Sequence, residues 1–155
     1  MKSFCKESNQ SYKVTKPWGH ELWICSSQND SKFVMKEIFI KSGYKTSYQF
    51  HEFKDEAALI ISGEGILYLA ENEIDLEKFK NNNYSKEDLK EIINNLVENK
   101  ITAGSTMRIT PRYVHSIKAI TDIKLVETST LEVDDVFRIF DEHQRADGRI
   151  DSEHK

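Results

Sequence analysis

The sequence has little cysteine and little proline, and it has no long apolar run. Only two of its 155 residues are cysteine and two are proline. Cys5 and Cys25 do not form a CxxC pair, which predicts two reduced thiols and no disulfide framework. No apolar run approaches the roughly 20 residues that a membrane-spanning helix needs, and the N-terminal MKSFCKESNQSYK lacks the apolar core of a signal peptide. We therefore expect a cytoplasmic protein with no membrane partner.

An excess of basic residues is also absent. Lysine and arginine number 22 against 26 aspartate and glutamate, which gives a net charge of -4. This excludes nucleic acid as the main partner, since phosphate backbones need a basic face. Local basic side chains could still bind a phosphorylated small molecule. The length predicts one domain over residues 1–155, with a polar lead-in over residues 1–15.

Short apolar segments rich in β-branched residues predict an all-β fold. Glycine-containing turns and polar clusters separate these segments, which is typical of a sandwich or barrel. A last strand along a sheet edge is predicted over residues 134–141. The other predicted strands cover residues 33–40, 46–51, 57–62, 66–70, 106–110, 114–119 and 123–129.

One segment breaks the β pattern and predicts a helical insert over residues 71–102. From residue 75 to residue 100 the apolar period becomes helical, with a shorter helix over residues 75–80. Ser85 precedes Asp88 in a capping arrangement. An apolar stripe follows at helical spacing, and we expect it to pack against the barrel or a second subunit: Leu89, Ile92, Ile93, Leu96 and Val97.

Four donor side chains are spaced as if to meet at one point. Gln49 and His51 lie two apart on a predicted strand, so they point to the same face. Glu56 begins the next strand, and the turn TPRYVH delivers His115 into another. Oxygen and nitrogen donors that converge in this way are typical of a divalent metal site.

The same residues resemble the two motifs of the cupin family. The first motif has a glycine, two metal-binding positions two apart, an acid and a closing glycine, matched by Gly43, Gln49, His51, Glu56 and Gly63. The second motif is matched by Gly104, Pro111 and His115. The resemblance implies a double-stranded β-helix, or jelly-roll barrel, with the helical insert between the motifs. It also implies one bound divalent metal ion and a homodimer.

A narrower resemblance points to cupins related to mannose-6-phosphate isomerase and to the isomerase domain of mannose-1-phosphate guanylyltransferases. It is carried by KPWGHE (16–21), QFHEFKDE (49–56) and the closing stretch VETSTLEVDDVFRIFDEHQR (126–145). The sequence departs from that subgroup at Leu131 and Ser116, where proline and arginine are usual. The resemblance implies an aldose–ketose isomerase that acts on a sugar or sugar phosphate and uses the metal as a Lewis acid.

Two basic residues are candidates for catalysis. Arg138 matches the arginine of the closing motif, and it could contact a substrate anion or the transition state. The alternative is an ion pair with a neighbouring aspartate such as Asp134, Asp135 or Asp141. Lys54 lies in the bend between the metal donors, where it is either an anion contact at the barrel mouth or a solvated loop charge.

Two further basic residues are candidates for substrate binding. Lys36 is alone among apolar residues of a strand and shares a face with Ile38, so an inward lysine could contact substrate. Arg108 faces opposite to Met107 and Ile109. If that face is the barrel interior, Arg108 could bind a phosphate through two hydrogen bonds; otherwise it is a surface arginine.

The donor set leaves the metal and the reaction open. Zinc is the first candidate, and iron, manganese, cobalt and nickel tolerate the same donors. Two other functions remain: an iron-dependent cupin dioxygenase and a non-catalytic sugar-binding cupin. No residue emerges as the general base that an isomerase needs.

Overall fold

The computed structural model describes residues 3–154, and these residues form two antiparallel β-sheets. The strands are β1 (Tyr12–Lys16), β2 (Gly19–Cys25), β3 (Val34–Ile40), β4 (Tyr48–Phe50), β5 (Glu56–Ser62), β6 (Glu64–Leu69), β7 (Val97–Thr102), β8 (Thr106–Ile109), β9 (His115–Ala119), β10 (Ile123–Ser129) and β11 (Phe137–Phe140). Two α-helices, α1 (Leu76–Lys80) and α2 (Lys86–Asn94), lie between β6 and β7. Short 3₁₀ helices cover Ser8–Gln10, Ser27–Asn29 and Asp151–Glu153.

The sheets are built from strands distant in sequence. One sheet has the order β1-β2-β3-β10-β5-β8 and the other has the order β11-β4-β9-β6-β7. The main core lies between them, because it draws buried side chains such as Ile38, Ile60 and Leu125 from the first sheet and Leu67 and Ile101 from the second. This arrangement confirms the predicted all-β jelly-roll.

Strand alternation decides which side chains reach the interior. Along β3 every second residue is buried, so Val34, Lys36, Ile38 and Ile40 face inward while the residues between them are partly exposed. The charged Lys36 therefore sits on the core face, where the sequence pattern placed it. The same rule turns Arg108 of β8 outward, since its neighbour Ile109 is buried.

Two predicted boundaries are wrong. Residues 12–15, assigned to the polar lead-in, lie in β1, which pairs with β2. Residues 97–100, predicted to be helical, belong to β7, which pairs with β6 from Leu69–Val97 to Glu64–Thr102. Pairing supplies hydrogen-bond partners to one edge of β6, whose backbone groups would otherwise lack them. The helical stripe therefore ends at Leu96, which is buried.

The helical insert supports the strand that carries Gln49. A second apolar cluster joins Ile92, Ile93 and Leu96 of the insert region to Phe50 and Val114 of the barrel. The insert thus packs against the barrel of its own chain, as one of the two predicted alternatives requires. Phe50 follows Gln49 and Val114 precedes His115. The cluster therefore packs against the backbone that carries two of the predicted metal ligands. Within residues 3–154, no helix has the length and apolar character to cross a membrane.

Candidate metal centre

Three of the four predicted donors meet inside the barrel. The Nε2 atoms of His51 and His115 lie 3.6 and 3.4 Å from Oε1 of Glu56. All three residues are buried: His51 is 1% exposed, His115 is 5% exposed and Glu56 is 8% exposed. One ligand atom from each lies within 4.8 Å of the others, so the cluster is compact enough to share one ion. His51 follows β4, Glu56 begins β5 and His115 begins β9.

Backbone carbonyls fix the orientation of both imidazole rings. Nδ1 of His51 is hydrogen-bonded to the carbonyl oxygen of Asp135, and Nδ1 of His115 lies 2.9 Å from that of Tyr113. A carbonyl oxygen only accepts, so each Nδ1 donates and each Nε2 keeps a lone pair in the neutral ring. Metal-binding histidines in proteins are oriented in the same way.

The Nε2 atom of His51 is buried and has no hydrogen-bond partner within residues 3–154. A buried polar atom left in this state costs about 1–3 kcal/mol. A metal ion would give it a ligand bond, and imidazole nitrogen with carboxylate oxygen suits zinc and its first-row neighbours. The donor set therefore fits a divalent ion.

Gln49 lies beside this cluster but is held by another contact. It pairs with His115 across β4 and β9 and lines the same cavity. Its amide oxygen accepts a 2.6 Å hydrogen bond from the Ser47 hydroxyl. An amide oxygen has two lone pairs, so one remains available. Gln49 as the fourth ligand stays a prediction.

Lys54 is buried and bridges two carboxylates, so it is not a solvated loop charge. Its ammonium contacts Oε2 of Glu56 and lies 3.0 Å from Oε1 of Glu127. Burial lowers the pKa of Lys54, but the charges of Glu127 and Glu56 outweigh burial and raise it above its ordinary value. Burial raises the pKa of Glu56, but the charge of Lys54, together with the contributions of His115 and His51, outweighs burial and lowers that pKa. Lys54 therefore holds its proton and keeps Glu56 ionised.

Sequence reasoning missed the role of Asp135. Its carboxylate accepts hydrogen bonds from the backbone N–H groups of Glu52, Phe53 and Lys54, at 3.0, 2.7 and 2.9 Å. Its carbonyl oxygen also orients His51. Asp135 therefore fixes the bend between His51 and Glu56. The signal lay in the closing motif, where Asp135 was considered only as an ion partner of Arg138.

Lys36 lies in the cavity in a buried ion pair. Its ammonium is 3.0 Å from Oε2 of Glu21 and 4.5 Å from the centre of the Trp23 ring. The indole N–H of Trp23 donates to the same oxygen over 2.7 Å. Burial raises the pKa of Glu21, but Lys36 and then Lys16 outweigh it and lower the pKa to about 2. Sequence reasoning did not single out Glu21.

Arg138 lines the cavity and lies opposite Gln49 across β11 and β4. Its Nη1 donates to the carbonyl oxygens of Ala146 and Gly148, the second at 3.1 Å. Its Nε is buried without a hydrogen-bond partner among residues 3–154, and no carboxylate of that range is in ion-pair contact with the guanidinium. Over residues 3–154, Arg138 therefore does not form the alternative ion pair predicted with Asp134, Asp135 or Asp141.

Arg108 lies outside the cavity. Its exposed guanidinium forms two hydrogen bonds, of 3.1 and 2.7 Å, with the carboxylate of Asp55. The structure thus corrects the predicted substrate contact to the surface alternative, because β8 turns this side chain away from the interior.

The segment after β11 folds back over the cavity. Gly148, Ile150 and His154 line the cavity wall although the sequence of this segment reads as a polar tail. Glu153 is buried and pairs with Lys16 at 2.8 Å and with Arg145 at 3.2 Å. The pair with Lys16 holds the segment against β1, where it forms part of the cavity wall, and the pair with Arg145 lies within the segment itself.

Comparison with known proteins shows the fold. No protein-family model matches the sequence, and a search of curated proteins finds no match. Among solved structures, the chain is similar to ectoine synthase from P. lautus, with 14% identity, a TM-score of 0.62 and 83% of this chain aligned to 78% of that one. The polyketide cyclase RemF from Streptomyces resistomycificus aligns over 91% of this chain and 88% of its own, with 11% identity and a TM-score of 0.63.

A sugar isomerase is also among these structures. The L-ribose isomerase of Cellulomonas parahominis, solved with L-psicose, has 13% identity and a TM-score of 0.60, with 77% of this chain aligned to 68% of that one. Together these likenesses show that the two sheets form the cupin barrel. At these sequence identities the likenesses show the fold alone. They do not show that the chain belongs to the mannose-6-phosphate isomerase subgroup.

Proposed function

We propose that this protein is a metal-dependent isomerase of a sugar or sugar phosphate. The observation that carries the proposal is the buried cluster of His51, Glu56 and His115 in a cavity lined by charged side chains, where one imidazole nitrogen has no hydrogen-bond partner among the described residues. The presence of an L-ribose isomerase among structures of the same fold supports it. Because one fold hosts many chemistries, the site carries more weight than that likeness.

The ion would be held by His51, Glu56 and His115, with Gln49 as the proposed fourth ligand. Zinc is our first candidate, and iron, manganese, cobalt and nickel are compatible with the same donors. When bound, the ion would supply Lewis-acid polarisation of a carbonyl or hydroxyl oxygen of the substrate.

Arg138 is proposed as the group that contacts a substrate oxygen as negative charge develops on it. It lines the cavity beside Gln49, and the hydrogen on its buried Nε has no acceptor in the described part of the chain. A preorganised donor at such an oxygen stabilises the transition state without rearrangement during the reaction. The carbonyls of Ala146 and Gly148 hold its guanidinium in place.

An isomerase also needs a group that moves a proton between adjacent carbons. Lys54 cannot serve as the base in this arrangement, because its raised pKa keeps it protonated. Glu127 is a carboxylate of the cavity wall that lies outside the donor cluster, 3.0 Å from Lys54. We therefore assign proton transfer to Glu127, and we assign to Lys54 the positioning of Glu127 and Glu56.

The experiment is a turnover assay on metal-loaded protein, followed by NMR. L-Ribose, D-mannose and mannose 6-phosphate are each incubated with zinc- or manganese-loaded protein, and the corresponding ketose is measured. We expect conversion of at least one sugar and its loss in His51→Ala. Arg108→Gln is the control, because its side chain lies on the outer surface.

Two results would contradict the proposal. One is the absence of turnover for every sugar with the metal-loaded protein. The other is turnover that persists unchanged in His51→Ala. Consumption of dioxygen by the iron-loaded protein in place of sugar conversion would identify a dioxygenase, and tight sugar binding without turnover would identify a binding protein.

A further inference from the structure

A second polar cluster lies on the cavity wall, away from the donor cluster. Glu21 of β2 and Lys36 of β3 form a buried pair whose side chains are 12% and 5% exposed. Both residues line the cavity. We propose that this pair is a binding subsite for adjacent hydroxyl groups of an uncharged, polyhydroxylated ligand. The inference rests on the proposed function, since it names the substrate class of the same cavity.

The pair has hydrogen-bonding capacity left over. Oε2 of Glu21 accepts both hydrogen bonds that the structure gives this carboxylate within residues 3–154, from Lys36 and from the Trp23 indole. Oε1 therefore keeps its lone pairs. The Lys36 ammonium has three N–H groups, one of which is donated to Glu21. The pair thus offers an acceptor beside a donor.

A vicinal diol matches that arrangement. Each hydroxyl group can donate one hydrogen bond and accept others. One hydroxyl of a diol can donate to Glu21 while its neighbour accepts from Lys36. Trp23 supports the pair and is not a stacking platform, because the ammonium covers its ring and the rings of Tyr12 and His154 contact it edge-on.

The subsite lies within reach of the donor cluster. Lys36 is opposite Glu127 of β10, and Glu127 is opposite Ala58 of β5. Neighbouring strands are about 4.8 Å apart, so β3 and β5, the strand of Glu56, are separated by about 10 Å. A sugar with one end at the metal position can therefore place distal hydroxyl groups near Lys36.

Most basic side chains of the cavity wall are neutralised within the protein, which favours an uncharged ligand at the pair of Glu21 and Lys36. Binding a phosphate requires cationic donors that are not already neutralised. Arg138 is the lining arginine without a carboxylate contact in the described part of the chain. The other basic side chains of the wall each form an ion pair within the protein: Lys16, Lys36, Lys54, Arg145 and Arg149.

The test compares binding of neutral and phosphorylated sugars to the zinc-loaded protein. D-Mannose, L-ribose, mannose 6-phosphate and inorganic phosphate are titrated separately and followed by ligand-observed NMR. We expect a neutral sugar to bind at least tenfold more tightly than mannose 6-phosphate. Stronger binding of the phosphorylated sugar, or no binding of either neutral sugar, would overturn the inference.

Glu21→Gln should reverse the ligand preference, which tests the subsite more specifically than a loss of binding would. Glutamine can still accept from Trp23, but Lys36 becomes an unpaired cation of the cavity wall. We expect neutral-sugar affinity to fall at least tenfold and mannose 6-phosphate affinity to rise, which reverses the preference. Glu37→Gln is the matched control, because the same change on the outer face of β3 affects a partly exposed pair with Lys124.

A double variant keeps the test valid if Glu21→Gln folds poorly. Glu21→Gln with Lys36→Met removes both charges, and circular dichroism checks its fold. It should lose neutral-sugar binding without gaining phosphate binding. Neutral-sugar binding at the wild-type level in this variant would refute the subsite. Altered binding without any turnover would instead refute the isomerase while leaving the subsite intact.

Discussion

At the scale of single residues, the site depends on which nitrogen of each imidazole faces the cavity. The carbonyl oxygens of Asp135 and Tyr113 accept hydrogen bonds from Nδ1 of His51 and His115, so both Nε2 atoms face Glu56. Sequence motifs can place the histidines on the right strands. They cannot show these contacts, because Asp135 lies 84 residues after His51.

Asp135 gives the first prediction at this scale. Asp135→Ala removes the carboxylate that holds three backbone N–H groups of the bend between His51 and Glu56. We expect zinc affinity to fall roughly 10- to 100-fold, as is typical when a group that orients metal ligands is lost. Competition with a chromogenic chelator measures the affinity, and Glu37→Gln should leave it unchanged.

The buried carboxylate of Glu21 gives a prediction about pH. Its pKa is lowered from 4.5 to about 2 in the folded chain, so ionisation stabilises the fold above pH 4.5. That contribution is lost as the pH falls towards 2. The difference in unfolding free energy between wild type and Glu21→Gln should therefore narrow by on the order of 2 kcal/mol from pH 6 to pH 3.

Urea denaturation at both pH values measures this difference. Other groups titrate equally in the two proteins, so their contributions cancel in the comparison. A difference that stays constant between pH 6 and pH 3 would show that the Glu21 carboxylate is not stabilised by Lys36 as described.

At the scale of elements, the turn between β5 and β6 depends on a close backbone approach. Gly63 has a φ of +94°, and a Cβ there would lie 2.1 Å from the carbonyl oxygen of Asp122. Gly43 has a comparable φ of +84°, but no atom of residues 3–154 outside its chain neighbours would lie within 4 Å of a Cβ added there. Both glycines therefore adopt a backbone conformation that would be strained for alanine, and they differ in the contact that an added Cβ would make.

This difference gives a prediction with an internal control. Gly43→Ala should cost about 1–3 kcal/mol from conformational strain alone. Gly63→Ala should cost clearly more, because the added methyl group also displaces the segment around Asp122. Denaturant unfolding of both variants gives the comparison, and equal losses would contradict the role of the close approach.

The elements also mark where sequence patterns reach their limit. Short apolar segments bounded by turns predicted β5 and β10 closely, and period-two alternation placed Lys36 on the same face as Ile38. Local patterns failed for β7, because Val97 continues the helical stripe of α2 in sequence. The pairing of β7 with β6 depends on a tertiary contact that no local pattern contains. The segment after β11 was missed for the same reason, since its hold on β1 comes from Glu153 and Lys16.

At the scale of the whole molecule, a net charge of -4 says little about the cavity. The cavity wall carries nearly balanced charges in internal ion pairs, and this balance appears only after the strands are assembled. The family motifs predicted the barrel and its four donor positions. They did not show that Glu21 and Glu127 line the cavity. Whether an acidic residue on a strand faces inward or outward depends on the strand register, which the motifs do not contain. The homodimer stays a prediction.

The central claim is that one divalent ion binds at His51, Glu56 and His115. Calorimetric titration of zinc into chelator-treated protein tests it most directly, with His115→Ala titrated in parallel. We expect one ion per chain in the wild type and no comparable binding in the variant. Absence of binding in the wild type, or the same stoichiometry and affinity in His115→Ala, would contradict the account.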